Sequence, residues 1–129
     1  MRKRRSVYHT RSSGSCGVVY LDRERAVRIL RELAERLVRT HPEVLEVRLF
    51  GSLAEGTAVP GSDADLLIVL RDHPQPRWFD RIPQYASAFD EIDLPVEVFP
   101  YTLAELAQLE SNRPDFAARL THARRLARR

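Results

Sequence analysis

The sequence predicts an α+β fold: a small mixed β-sheet with helices packed against it. Three observations predict it. Residues 22–39 repeat apolar side chains at helical spacing, Ala26, Leu30, Leu33 and Leu37, with Val27, Ala34 and Val38 beside them. Residues 44–50 alternate, whereas 64–70 are apolar almost throughout, as a strand covered on both faces would be. The overall order is α-β-α-β-(α)-β-α-α, with elements too short and too interleaved for separate layers of one kind.

Residues 1–17 hold Arg2, Lys3, Arg4, Arg5 and Arg11 among Ser and Gly, a composition expected of a disordered basic tail. Residues 18–129 read as a single domain. Val18-Val19-Tyr20 suits a short strand or a packing anchor. Asp22 is placed to cap the first helix, Glu32–Arg36 and Glu35–Arg39 support its wet side, and His41-Pro42 ends it. In the strand 44–50, Leu45, Val47 and Leu49 share one face and Glu46 and Arg48 the other. Ser52–Glu55 opens a short helix that Gly56 terminates. Val59-Pro60-Gly61-Ser62 is turn chemistry. Residues 71–80 read as a loop with a short helix near 83–89 after it, and 94–100 as the next strand. Thr102 and Glu105 form a capping box opening a helix through Leu109. Pro114 suits the first turn of a restart. Phe116, Leu120, Ala123 and Ala127 then line one side of a C-terminal amphipathic helix whose other side carries Arg119, Arg124, Arg125, Arg128 and Arg129. That apolar stripe is expected to pack on the chain's own sheet; a partner surface is the rarer use of such a pattern.

Composition narrows the function. The chain has 129 residues, 43% hydrophobic and 30% charged, with a net charge of +3, the balance of an ordinary globular domain. No apolar run has transmembrane length, and the basic N-terminus lacks a signal-peptide core, so a cytoplasmic protein with no membrane role is expected. Cys16 is the only cysteine, which excludes an internal disulfide and a cysteine-based metal site. His9, His41, His73 and His122 are scattered without ligand spacing. Trp78-Phe79 suits a core plug better than a pocket wall.

The chemistry concentrates in Leu49-Phe50-Gly51-Ser52 and Ser62-Asp63-Ala64-Asp65. A glycine lets backbone approach a phosphate closely, and Ser52 adds a hydroxyl donor. Asp63 and Asp65, two residues apart on a strand, point the same way and suit a hard divalent cation. A charge followed directly by five apolar residues is costly unless paired or metal-bound. Glu97, in Pro95-Val96-Glu97-Val98-Phe99, is either a third ligand or a carboxylate on an open sheet face. Asp93 is a weaker rival in a loop.

Gly51-Ser52-x10-Asp63-x-Asp65, with a later carboxylate on a strand, resembles the minimal nucleotidyltransferases of the DNA polymerase β superfamily. The flanks Val47-Arg48-Leu49-Phe50 and Ala54, Gly56 and Thr57 are similar too, as is Val96-Glu97-Val98-Phe99 before Tyr101-Thr102. The resemblance spans roughly residues 22–110 and implies a polymerase β-like fold. It implies that Asp63, Asp65 and Glu97 are catalytic and hold two Mg²⁺ ions, that Glu97 takes the acceptor's proton, and that Gly51 and Ser52 bind the phosphates of ATP or another NTP. Stand-alone chains of this size resemble antitoxins that transfer AMP to a tyrosine of a HEPN-type toxin. Two positions depart from the pattern. Glu97 stands where the family usually has Asp, and Leu53 and Glu55 stand where relatives often carry Arg. Two other readings stay open at this point: a non-catalytic module that neutralises a partner by contact, and RNA-directed transfer using the basic ends. A small-molecule acceptor is a third, less suited to so small a chain.

Overall fold

The computed structural model describes residues 4–129. In chain order the elements are β1 (Arg5–Ser6), β2 (Tyr8–Ser13), β3 (Cys16–Leu21), α1 (Arg23–Thr40), β4 (Val44–Phe50), α2 (Ser52–Glu55), β5 (Ala64–Leu70), α3 (Ile82–Ala86), β6 (Ile92–Asp93), β7 (Val96–Thr102), α4 (Leu103–Ala107), α5 (Leu109–Asn112), α6 (Pro114–Arg119) and β8 (Arg124–Arg128). Short 3-10 turns at Trp78–Arg81 and Ser87–Phe89 flank α3.

The main sheet has four strands in the order β7-β5-β4-β8. β4 runs antiparallel to β5 and to β8, while β5 and β7 are parallel. The sheet is therefore mixed, and helices cover both faces. On one face α1 lays Ala26, Leu30, Leu33 and Leu37 over Val47, Leu49, Leu66 and Ile68, with Tyr85 and Phe89 beside them. On the other, Phe50, Leu67, Val69 and Tyr101 pack under Leu109 and Phe116. Alternate residues of β5 thus serve opposite cores, which is why the strand is apolar along its length.

The local signals act as the sequence suggests. The Asp22 carboxylate accepts from the Arg25 N–H at 3.0 Å and starts α1. Thr102 Oγ1 accepts from the Glu105 N–H at 3.2 Å, and Glu105 accepts from the Thr102 N–H at 2.7 Å, closing the capping box. Of the expected Trp78-Phe79 core plug, Trp78 stacks on Tyr101 and Phe99 with centroids 5.2 and 5.7 Å apart, whereas Phe79 is 49% exposed.

Three expectations are corrected. Within the tail, Arg2 and Lys3 lie outside the described residues, but β2 and β3 form an antiparallel hairpin pairing Tyr8 with Leu21 and Thr10 with Val19. Its two-residue loop carries Gly14 at φ 60°, the backbone such a tight loop demands. Val7 is fully buried, and the Asp22 N–H donates to its carbonyl at 2.7 Å, so this segment is tied to the start of α1.

The C-terminal helix is the second correction. α6 ends at Arg119, and residues 124–128 are a strand on the edge of β4. A register shift between Val47 and Arg48 lets consecutive residues Leu126 and Ala127 both be buried. The open backbone of β4 outweighs a helical apolar stripe that past Leu120 consists only of Ala123 and Ala127. Phe116 still packs on the chain's own sheet, with Leu120 and Ala123 beside it. The third concerns β4 itself. A bulge between Val44 and Glu46 puts Val44 in the α1 core and Leu45 against the opposite one, so Leu45 does not share the face of Val47 and Leu49.

Candidate functional site

The site forms where β4 ends and where β5 and β7 begin. β4 delivers Phe50 opposite Asp65 on one side of β5. The parallel register of β7 delivers Glu97 opposite Asp65 on the other. Side chains in register on neighbouring strands share a face, so the topology places a turn, an aspartate and a glutamate side by side.

Gly51 makes the turn with φ 80° and ψ −160°, a region essentially reserved for glycine. The geometry serves the aspartate. A Cβ built on Gly51 would intrude on Asp65 Oδ2, far inside the 3.0 Å that real Cβ atoms respect. The carboxylate therefore lies flat against the glycine backbone. α2 follows at once, held by the Glu55 N–H donating to the Gly51 carbonyl at 3.1 Å. Its far end is gripped by Arg23, which donates to the carbonyls of Leu53 and Ala54 at 2.9 and 3.2 Å. Ser52 opens this helix, and among the described residues no hydrogen bond engages its hydroxyl. Leu53 is buried beneath it. Ser62 shapes the next turn by accepting from the Val59 N–H at 3.0 Å.

Asp65 is only 14% exposed. Burial pushes its carboxyl up to about 6, against the pull of Arg119; Glu97 raises it further through its charge and a hydrogen bond, and Asp63 through its charge. A carboxyl pair that shares a hydrogen bond while repelling is one that a cation would relieve. Asp63 and Glu97 themselves are exposed.

The structure brings together Gly51, Asp65 and Glu97, with Ser52 next in chain and Asp63 near enough for its charge to act on Asp65. Among the described residues, no three His, Cys, Asp or Glu side chains are gathered tightly enough to cage a metal ion. Magnesium does not require such a cage: it is commonly held by one or two carboxylates, waters and substrate phosphates. The adjacent hard oxygens of Asp65 and Glu97 fit that mode.

Arg119 was not legible as a site residue. It lies on α6, 3.5 Å from Asp65 through Nη2, and its guanidinium sits over the rings of Phe50 and Phe116, 5.2 and 5.8 Å from their centroids. Asp93 takes no part in this cluster; it lies on β6, paired with Ser6.

A family profile described as "Nucleotidyltransferase domain" matches residues 30–121. No curated protein matches. Among solved structures, a putative nucleotidyltransferase from Sulfolobus solfataricus is similar with a TM-score of 0.60 and 22% identity, over 83% of this chain and 84% of that one. A structure titled as a toxin–antitoxin with AMP-PNP is similar with a TM-score of 0.50 and 21% identity, over 80% of this chain and 73% of that one. At these identities the two structures establish a shared fold.

Proposed function

The chain belongs to the nucleotidyltransferase domain family, and from that premise we propose that it moves a nucleoside monophosphate, AMP from ATP, onto an acceptor hydroxyl. The observation that carries the reading is the Asp65–Glu97 pair lying side by side against the Gly51 turn. The acceptor oxygen forms its bond to the α-phosphorus as the bond to pyrophosphate breaks. Glu97, exposed at the mouth of the site, receives the hydroxyl proton. Gly51 and Ser52 take the phosphate oxygens, the first by close backbone approach and the second by its unengaged hydroxyl. Asp63, Asp65 and Glu97 would hold Mg²⁺, two ions on the family pattern, which neutralises charge on the phosphates and lowers the acceptor's pKa when bound. The longer Glu97 side chain, in place of the usual Asp, would displace a second metal ion and leave transfer slow or lost.

The acceptor is a tyrosine of a partner protein, a HEPN-type toxin, and the chain acts as the antitoxin in the cytoplasm. What supports this is the similarity to a structure titled as a toxin–antitoxin with AMP-PNP. Among the described residues no helix is long and apolar enough to cross a membrane.

The test is calorimetric titration with ATP, CTP, GTP and UTP in Mg²⁺, followed by transfer of labelled AMP to a co-expressed partner. Asp63→Asn combined with Asp65→Asn is expected to abolish metal-dependent transfer while leaving the melting transition in place. Transfer by the double variant at the wild-type rate would overturn the site. Absence of any nucleotide binding to the wild type at millimolar concentration would favour neutralisation by contact alone.

A further inference from the structure

We propose that Arg119 is a nucleotide-binding residue, a guanidinium supplied by α6 to hold the phosphate chain of the substrate. The inference deepens the nucleotidyltransferase reading and rests on it. Three observations lead to it. The turn that would meet the phosphates is short of positive charge, because Leu53 is buried and Glu55 is acidic. Arg23, which grips α2, commits its Nε and one Nη2 donor to the Leu53 and Ala54 carbonyls. Arg119 is the guanidinium that reaches the acids, 3.5 Å from Asp65.

The way Arg119 is held matters more than its position. Its guanidinium lies over two aromatic rings, Phe50 from the end of β4 and Phe116 from its own helix. Ring faces attract a cation without consuming its N–H donors. At 3.5 Å the contact with Asp65 is an ion pair and longer than a normal charge-assisted hydrogen bond. Among the described residues no hydrogen bond is donated by Arg119. The side chain is 51% exposed. A planar fork placed beside the acids with its donors unspent suits bidentate recognition of phosphate oxygens. An arginine placed only to neutralise Asp65 would be expected to close a tight bidentate pair with it.

A third cation, Arg113, gives the internal comparison. It also lies over Phe116, at 5.8 Å, but its ion pair is with Asp115 at 3.6 Å and not with the catalytic acids.

The experiment is calorimetric titration of the full chain with ATP and with inorganic tripolyphosphate, each in Mg²⁺, for wild type, Arg119→Ala, Arg119→Lys and Arg113→Ala. Arg119→Ala is expected to weaken both ligands about ten-fold or more, the value of charged hydrogen bonds. Arg119→Lys restores part of the loss by its charge, and also serves if the alanine variant fails to melt cooperatively. Arg113→Ala is expected to stay within about two-fold, as exposed charges do. Phosphate affinity at the wild-type level in Arg119→Ala, or tighter binding in it, would overturn the inference and leave Arg119 as a counter-ion of Asp65. An equal loss in Arg113→Ala would also overturn it, because general surface charge would then explain the effect. If wild type binds neither ligand, the nucleotidyltransferase reading falls as well.

Discussion

Gly51→Ala tests the site and the fold in one substitution. Two costs are separable. The backbone at φ 80° and ψ −160° is a region an L-residue enters at about 1–3 kcal/mol. The new methyl would also collide with Asp65 Oδ2, and Asp65 has little room to retreat on a buried central strand. Its carboxylate must shift by several tenths of an ångström, and misplacement of reacting groups by about 1 Å costs about 10²-fold in rate. Gly14→Ala is the control for backbone strain: Gly14 has φ 60° but nothing within 4 Å of its built Cβ, so it is expected to cost about 1 kcal/mol and no activity. Urea denaturation measures the first quantity and AMP transfer the second. The reasoning is refuted if Gly51→Ala matches Gly14→Ala in both stability and transfer, because the glycine would then be a turn residue without influence on Asp65.

Other predictions concern the support behind the site. Arg81, 3% exposed, donates to Glu105 at 2.6 Å and to the carbonyls of Pro100 and Gln75 at 3.0 and 2.9 Å; Arg81→Met is expected to cost about 3–5 kcal/mol in urea, and a change below 1 kcal/mol would show the pair to be dispensable. Burial works against ionisation of Glu105, yet Arg81 and Thr102 hold its carboxyl below the usual carboxylate range. Its contribution is complete above the unfolded-state pKa and is lost as pH falls through the lower folded value; the acid loss of stability should be shallower in Glu105→Gln, and identical pH profiles would remove the assignment. The fully buried Tyr85 donates its hydroxyl to Glu43 at 2.8 Å. Tyr85→Phe should lower stability by about 1–2 kcal/mol by urea titration, while an unchanged midpoint would mean that water substitutes without cost.

The elements that sequence reasoning reached were those whose cause is local. α1 has a capping aspartate at one end and an apolar stripe along its length, so a single window contains its reason to form. Thr102 and Glu105 are three residues apart and satisfy each other. β5 announced its burial on both faces because every position but Asp65 serves one of two cores. Gly51, Asp63 and Asp65 could be proposed from the sequence because their spacing carries the family pattern, and Glu97 because a charge interrupts a short apolar strand; the fold places Gly51, Asp65 and Glu97 side by side. The failures at residues 4–17 and 124–128 have a different cause. Neither segment buries enough of its own surface to form alone. The hairpin is visible only as a weak alternation around Ser13-Gly14-Ser15-Cys16, overshadowed by arginine and serine. β8 is a strand only because β4 has an unpaired edge beside α1. There Arg129 donates to the carbonyls of Val38, Val44 and His41 and fastens the chain end.

Arg119 lies at the end of this scale. Its distance in sequence from Asp65 carries no periodicity, and its aromatic clamp draws Phe50 from one element and Phe116 from another. Reading it required knowing first that α6 stops at Arg119. In the continuous helix the sequence suggests, this arginine faces solvent with its neighbours. In the structure the helix stops at Arg119, and its guanidinium lies 3.5 Å from Asp65. β8, paired along the open edge of β4, is what returns the chain to the sheet after α6. A chain in which β8 is detached from β4, for example by proline at Leu126, should therefore lose the Arg119–Asp65 contact as well as stability.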